Sequence, residues 1–165
     1  MATKTLDDLF YETLKDIYYA ERQIVKALPK MARAAQDEKL KAAFQEHKDE
    51  TEGQIERLKQ VFDLIGKRAR GKTCDAIEGI LSEGEEIMEE FKGTPALDAG
   101  LLAAAQAVEH YEISRYGTLR SWAQQLGLSE AATLLEETLA EESQTDEKLT
   151  GLAKTAVNSA AQKAA

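Results

Sequence analysis

The fold this sequence predicts is an all-α bundle of four long helices with one long crossover, and three observations predict it. Only two prolines and ten glycines interrupt a 165-residue chain rich in Ala, Leu, Glu, Lys and Gln, a composition that favours long helices. Apolar residues recur at helical spacing in four separate stretches. The breaks between them are unequal: two tight turns flank a connector of about thirty residues, whereas an up-down-up-down bundle has only short connections.

Helix A is expected from the Thr5 cap, with Asp7 and Asp8 in its first turn, to about Ala35, because acids near a helix N-terminus complement its dipole. Pro29 is the place for a kink. Helix B follows the Asp37 cap to about Ile65, where the basic stretch "GKRARGK" (66–72) breaks the pattern. A connector helix over about 73–91 ends at "KGTP" (92–95). Thr94 then reads as an N-cap with Pro95 at the first position of helix C, which runs over 95–126 to Gly127. Ser129 is expected to cap helix D over 129–157, before the tail "NSAAQKAA" frays.

A chain of this length supports one domain with a real core, and no shift in composition divides residues 1–165. Its net charge of −9 disfavours nucleic acid and anionic membranes as partners. The N-terminus "MATKTLDDLF" has no apolar leader, so a cytoplasmic location is expected. Cys74 is the single cysteine, which leaves no intrachain disulfide and no thiolate metal cluster. It reads as a small buried or half-buried residue. Phosphate loops, GxSxG and HExxH are all missing.

Chemistry enters through the polar residues on the apolar faces. Placed at about 100° per residue, Leu40, Ala43, Phe44, Leu58, Val61, Phe62 and Ile65 define the inward arc of helix B. His47, Thr51 and Gln54 fall inside it, and Glu50 lies at its edge. On helix A, Phe10, Leu14, Ile17, Ile24 and Leu28 surround Glu21. On helix C, Leu101, Ala105, Val108 and Leu119 flank Glu112, with Glu109 and Tyr116 to its sides and His110 outward. On helix D, Leu135, Thr138 and Leu149 surround Glu142, with Asp146 one turn further and Glu141 at the margin.

Depth decides whether these groups meet. At 1.5 Å per residue, Glu21 and Glu50 lie about 24 and about 20 Å from the A/B turn, and Glu112 and Glu142 about 25 and about 20 Å from the C/D turn. Seven groups therefore converge: Glu21, His47, Glu50, Glu109, Glu112, Glu142 and Asp146. Burying unpaired charges costs several kcal/mol each, and only Arg57 and Arg115 reach the flanks of the arcs. Two divalent or trivalent cations would neutralise the layer. Carboxylates with an imidazole and no thiolate suit iron or manganese better than structural zinc. Gln54 and Thr51 are then candidates to hydrogen-bond the ligands.

Each residue also has an ordinary explanation. His47 alone reads as a hydrogen-bonded core histidine, Glu50 as a partner of Arg57, Glu109 as a partner of Arg115, and Tyr116 as core packing. The metal reading prevails because four helices agree in both face and depth.

Four segments, "YAERQIVKALPKMARAA", "EHKDETEGQIERL", "VEHYEISRYGTL" and "EETLAEESQTDEKLTGLA", with "CDAIEGILSEGEE" in the connector, resemble the bacterial YciE/YciF-type stress proteins. This is a branch of the ferritin-like superfamily, and the resemblance covers nearly the whole chain. It implies a ferritin-like bundle, a dinuclear metal centre and a homodimer. Glu21 and Glu112 fill the superfamily's glutamate positions on the first and third helices, with Glu109 as the extra acid of rubrerythrin-like members. Two departures stand out. Helix B carries His47-x-x-Glu50, the reverse of the usual Glu-x-x-His, and three residues after Glu142 stands Thr145, followed by Asp146.

The expectation is a di-iron or di-manganese carboxylate protein reacting with peroxide or oxygen. Glu50 and Glu112 would bridge the metals; Glu21, His47, Glu109, Glu142 and Asp146 would be terminal or nearby ligands. Tyr116, beyond packing, is a candidate redox or hydrogen-bonding group. The alternative is a non-catalytic stress or partner-binding bundle held by a structural metal or a buried carboxylate network. Iron storage with DNA binding is a weaker third reading, since the chain has no basic tail beyond the loop 66–72.

Overall fold

In the computed structural model, which describes residues 2–163, α1 (Leu6–Ala34), α2 (Glu38–Leu64), α3 (Asp75–Glu90), α4 (Leu97–Gln125) and α5 (Ser129–Leu152) follow in order. A π-helical turn (Ala153–Val157) and α6 (Asn158–Gln162) complete the chain. The last two residues of the tail lie outside the described residues. α1 opens on a reciprocal capping box: Thr5 Oγ1 accepts from the Asp8 N–H, and Asp8 Oδ2 accepts from the Thr5 N–H at 2.8 Å. Asp37 Oδ1 caps α2 by accepting from the Leu40 N–H. Cys74 plays the same part for α3, its Sγ accepting from the Ile77 N–H.

α1 packs on α2 and α4, and α5 packs on α4 and α2, so that α1 and α5 face each other diagonally. The connector fixes the direction of α4. Near one end of the bundle the Lys72 N–H donates to the Lys15 carbonyl. At the other, Asp98 in the first turn of α4 accepts from the Gln36 and Asp37 N–H groups at 2.8 and 2.7 Å. The crossover thus travels the length of the bundle, and α4 runs parallel to α2. This is the ferritin-like arrangement of two antiparallel pairs joined by a long crossover.

α3 rides on the outside, against α4 and α1. A Cβ at Gly100 would sit 2.6 Å from Ile87 Cγ2, and one at Gly84 would sit 3.6 Å from Ala104 Cβ, so the two helices approach closely there. Tyr19 also donates to Glu78, and Lys30 pairs with Glu85 at 3.8 Å, tying α3 to α1. Among the described residues, no helix is long and apolar enough to cross a membrane.

Three local expectations are corrected. Thr94 does not cap α4: its hydroxyl donates to the Phe91 carbonyl, closing a turn, and the helix starts two residues after Pro95. Ser129 is the first residue of α5 and not its cap, and Leu128 before it offers no side-chain oxygen. The tail does not fray at Val157 but remains helical to Gln162, after a π-helical turn. The extra residue in that turn moves the inward position on by one. Val157 is therefore buried, while Ala156 is only half-buried.

Candidate metal centre

The middle of the bundle holds five polar residues that the hydrophobic layers above and below exclude from water. Relative exposure is 0% for Glu21, Glu112 and Glu142, 2% for Glu109 and 3% for His47. Each is delivered by a different part of the helical repeat. Glu21 lies between Ile17 and Ile24 on α1, Glu109 and Glu112 are one turn apart between Ala105 and Tyr116 on α4, and Glu142 stands a turn beyond Thr138 on α5. His47 follows Phe44 on α2.

His47, Glu109, Glu112 and Glu142 each offer a ligand atom, all within 4.8 Å of one another. His47 Nδ1 lies 3.0 Å from Glu109 Oε1. Glu21 adjoins this group and is held by Tyr116, whose buried hydroxyl donates to Glu21 Oε1 at 2.6 Å. The remaining atoms are the telling ones. Glu21 Oε2, His47 Nε2, Glu109 Oε2 and both oxygens of Glu112 and of Glu142 are buried without a hydrogen-bond partner. A buried acceptor without a donor costs about 1–3 kcal/mol, and more when charged, so seven such atoms in one layer call for a positive charge to face them.

The electrostatics of the empty-handed carboxylates agree. Burial, followed by the Glu142 charge, pushes Glu21 up to about 8. Burial, followed by the charges of Glu142, Glu21 and Glu109, drives Glu112 well above the carboxylate range, and burial is also the main cause that raises Glu109. His47 moves the other way, because burial disfavours the imidazolium; its ring is therefore held in the neutral form that ligates metals.

Two residues expected in the layer stand apart from the four-residue cluster. Glu50 is half-buried at the α2/α5 flank, where its Oε2 accepts from Thr145 Oγ1 at 3.1 Å. Asp146 accepts from Gln106 Nε2 at 3.2 Å and lies 3.1 Å from Nε2 of the exposed His110. Glu50 sits at the edge of its arc and finds Thr145 there, and Asp146, a turn beyond Glu142, is taken up by Gln106 and His110.

Other partners differ as well. Arg57 pairs with Glu141 and Glu137 and donates to Thr138, not to Glu50. Arg115 lies over the Tyr111 ring at 5.1 Å and does not reach Glu109. Gln54 donates to Glu141, and Thr51 donates to the backbone carbonyl of His47, so neither side chain bonds a ligand atom of the cluster. Cys74 is buried, with Sγ 3.0 Å from the Tyr111 hydroxyl, and is not one of the clustered residues.

A ferritin-like bundle with a buried carboxylate and histidine cluster at mid-height is the class that this fold and site define. More particularly, the chain belongs to the family described as Domain of unknown function (DUF892), which matches residues 5–162. It is 48% identical over 163 residues to protein YciF of Escherichia coli (strain K12), covering 98% of each chain. The crystal structure of the E. coli stress protein YciF superposes with a TM-score of 0.90 at 49% identity, covering 94% of this chain and 99% of that one. YcfI of Rhodopseudomonas palustris, a candidate structural protein, gives 0.87 at 46% identity over 89% and 94% of the two chains. A Xanthomonas campestris protein gives 0.77 at 20% identity over 96% of this chain and 98% of the other, a likeness of fold alone.

Proposed function

We propose that the protein is a dinuclear metal carboxylate protein of the stress response that reacts with peroxide or oxygen, and that it works as a homodimer. The observation that carries this reading is the set of seven buried, partnerless ligand atoms in one layer. Four carboxylates and one neutral imidazole match two divalent cations in charge, and the absence of thiolate among the donors favours iron or manganese. His47, Glu109, Glu112 and Glu142 would hold the metals together with Glu21. Held there, the metals would supply electrons to peroxide or oxygen. The protein's share is to orient the donors, keep His47 neutral, exclude bulk water and present the Tyr116 hydroxyl to Glu21.

Glu50 remains a neighbour that could turn inward from Thr145, whereas Asp146 is engaged on the other side by Gln106 and His110. The acidic chain, with no nucleic-acid or membrane role proposed for it, meets its oxidant in solution. A second reading, a metal or carboxylate network that only holds the bundle, is favoured by the near-complete burial of all five residues, since structural metal sites are closed.

Elemental analysis of untagged protein purified without chelators tests the proposal. About two iron or manganese atoms per chain are expected, with loss in Glu21→Ala and Glu112→Ala. Metal-free protein that gains no thermal stability on adding either ion would overturn it. Peroxide consumption by the loaded protein then separates the redox reading from the structural one.

A further inference from the structure

We propose that a small uncharged oxidant reaches the cluster through an apolar passage beneath α3, and that Leu81 sets the size of what passes. The inference rests on the redox reading above. A groove of about 320 Å³ opens between α1, α3 and α4. Its floor includes Ala27, Met31, Leu81 and Val108, and the same four side chains line a second, inner cavity that reaches His47 and Glu109. One layer of side chains therefore separates the outer groove from the metal cluster.

Inside, the free space is about 10 Å³, room for a single water-sized molecule. The walls are otherwise built from Ile24, Leu28, Phe44 and similar groups, which offer an ion nothing to replace its hydration. Dioxygen and hydrogen peroxide carry no charge and, with two heavy atoms each, follow only with a small displacement of the walls. His47, with a partnerless Nε2, lines this cavity, so a molecule entering it arrives beside an unpartnered buried group. Leu81 is held at fixed depth because the Gly100 and Gly84 contacts seat α3 firmly on α4.

The cavity has a second mouth of different chemistry. A pocket of about 110 Å³ on the α2/α5 flank includes Glu46, Glu50 and Lys148 and shares His47 and Thr145 with the inner cavity. Both mouths carry exposed charges, Lys26, Lys30, Glu78 and Glu85 at the groove, but the four residues the groove shares with the inner cavity are all apolar, whereas the flank pocket shares the polar His47 and Thr145, which is why the passage under α3 is assigned to the neutral oxidant.

The test uses a reporter that needs no metal. Leu28 lines the inner cavity but not the groove, and Leu28→Met places a thioether there at little cost in volume. Hydrogen peroxide converts it to the sulfoxide: one peroxide oxygen transfers to sulfur, the O–O bond breaks and water leaves. In metal-free protein, peptide mass spectrometry should show oxidation at position 28 rising several-fold with Leu81→Ala and falling several-fold with Leu81→Phe or Leu81→Trp. Met88, in the outer groove, serves as the internal standard and should not change. The preference for hydrogen peroxide over tert-butyl hydroperoxide should shrink in Leu81→Ala.

Oxidation that ignores Leu81 but responds to Thr145→Trp would overturn the passage in favour of the polar mouth. In metal-loaded protein, peroxide turnover insensitive to Leu81 would likewise sink the passage while leaving the redox reading intact. No turnover, with the reporter pattern as expected, would sink the redox reading and leave the passage standing.

Discussion

Two regions of this bundle bury carboxylates, and only one of them lacks donors. At the end of the bundle, Asp98 is 8% exposed, and both its oxygens accept backbone N–H groups, from Gln36 and Asp37. At mid-height, Glu112 and Glu142 are fully buried with neither oxygen paired. Asp98 closes the turn between α1 and α2 and locks the start of α4 onto it. The central glutamates close nothing. Burial of an acid is therefore not itself a mark of metal binding; what marks it is burial without a donor, repeated on facing helices.

The largest effect that could break this contrast is the response to metal. A ligand held at a thousand times its dissociation constant stabilises the folded state by about 4 kcal/mol, so loading iron or manganese should raise the melting temperature substantially in a calorimetric scan. Glu112→Ala should abolish the rise. Asp98→Ala should leave it in place, because that residue lies a bundle-half away from the cluster. An equal loss of metal response in the two variants would mean that the two buried acids are not different in kind.

The next effect runs in the opposite sense. Asp98→Ala removes two charge-assisted hydrogen bonds and leaves two N–H groups without their acceptor, which should cost about 3 kcal/mol with or without metal. Denaturant unfolding of the metal-free variant measures it. Stability within a few tenths of a kcal/mol of the parent would show that water satisfies the turn as well as Asp98 does.

How far the sequence reveals each region follows from the same distinction. Glu21, His47, Glu112 and Glu142 were legible because helical spacing fixes direction to within a fraction of a turn and each lies inside an apolar arc; Glu109, nearer the side of its arc, is one turn from Glu112 on the same helix. Glu50 lies at an arc edge and Asp146 a turn beyond Glu142, and for both the choice between the centre and another partner depends on Thr145, Gln106 and His110 across the helix interface. Asp98 was missed altogether. Its partners are backbone groups some sixty residues away in sequence, at positions 36 and 37, and no periodicity reports them. The π-helical turn at Ala153–Val157 was hidden for a related reason: "AKTAV" has ordinary helix-forming composition, and the shift in register shows only where Val157 replaces Ala156 inside.

A smaller effect appears in the pH dependence of the metal-free protein. Glu21 ionises at about 8 in the folded state and in the ordinary carboxylate range when unfolded. Between those values the folded protein binds the extra proton, so stability falls as pH rises from about 4.5 to about 8; Glu112 and Glu109, raised for the same reason, carry the decline further. His47 opposes it only below its unfolded value near 6.5, where its depressed folded pKa makes stability rise with pH. Three carboxylates against one imidazole leave a net decline. Unfolding curves collected across this range should show it in the parent, and Glu21→Gln should flatten it. Bound metal should reverse it, since the cation favours the ionised ligands.

The finest test concerns Tyr116, the hydroxyl donor that holds one oxygen of Glu21. Its hydroxyl lowers the pKa of Glu21 by stabilising the carboxylate, though burial and the Glu142 charge outweigh it. Tyr116→Phe keeps the ring and its packing while removing that donor. Glu21 should then bind its proton still more tightly, and the lower-pH end of the stability decline should be followed by a midpoint shifted to higher pH. The loss at alkaline pH should be about 1 kcal/mol, the worth of a single hydrogen bond. Metal stoichiometry should survive, because a phenol that donates to a ligand oxygen tunes its basicity and need not hold the ion. A variant that loses metal as completely as Glu112→Ala would instead make the tyrosine part of the binding set, and the line between the one satisfied oxygen of Glu21 and its partnerless neighbours would disappear.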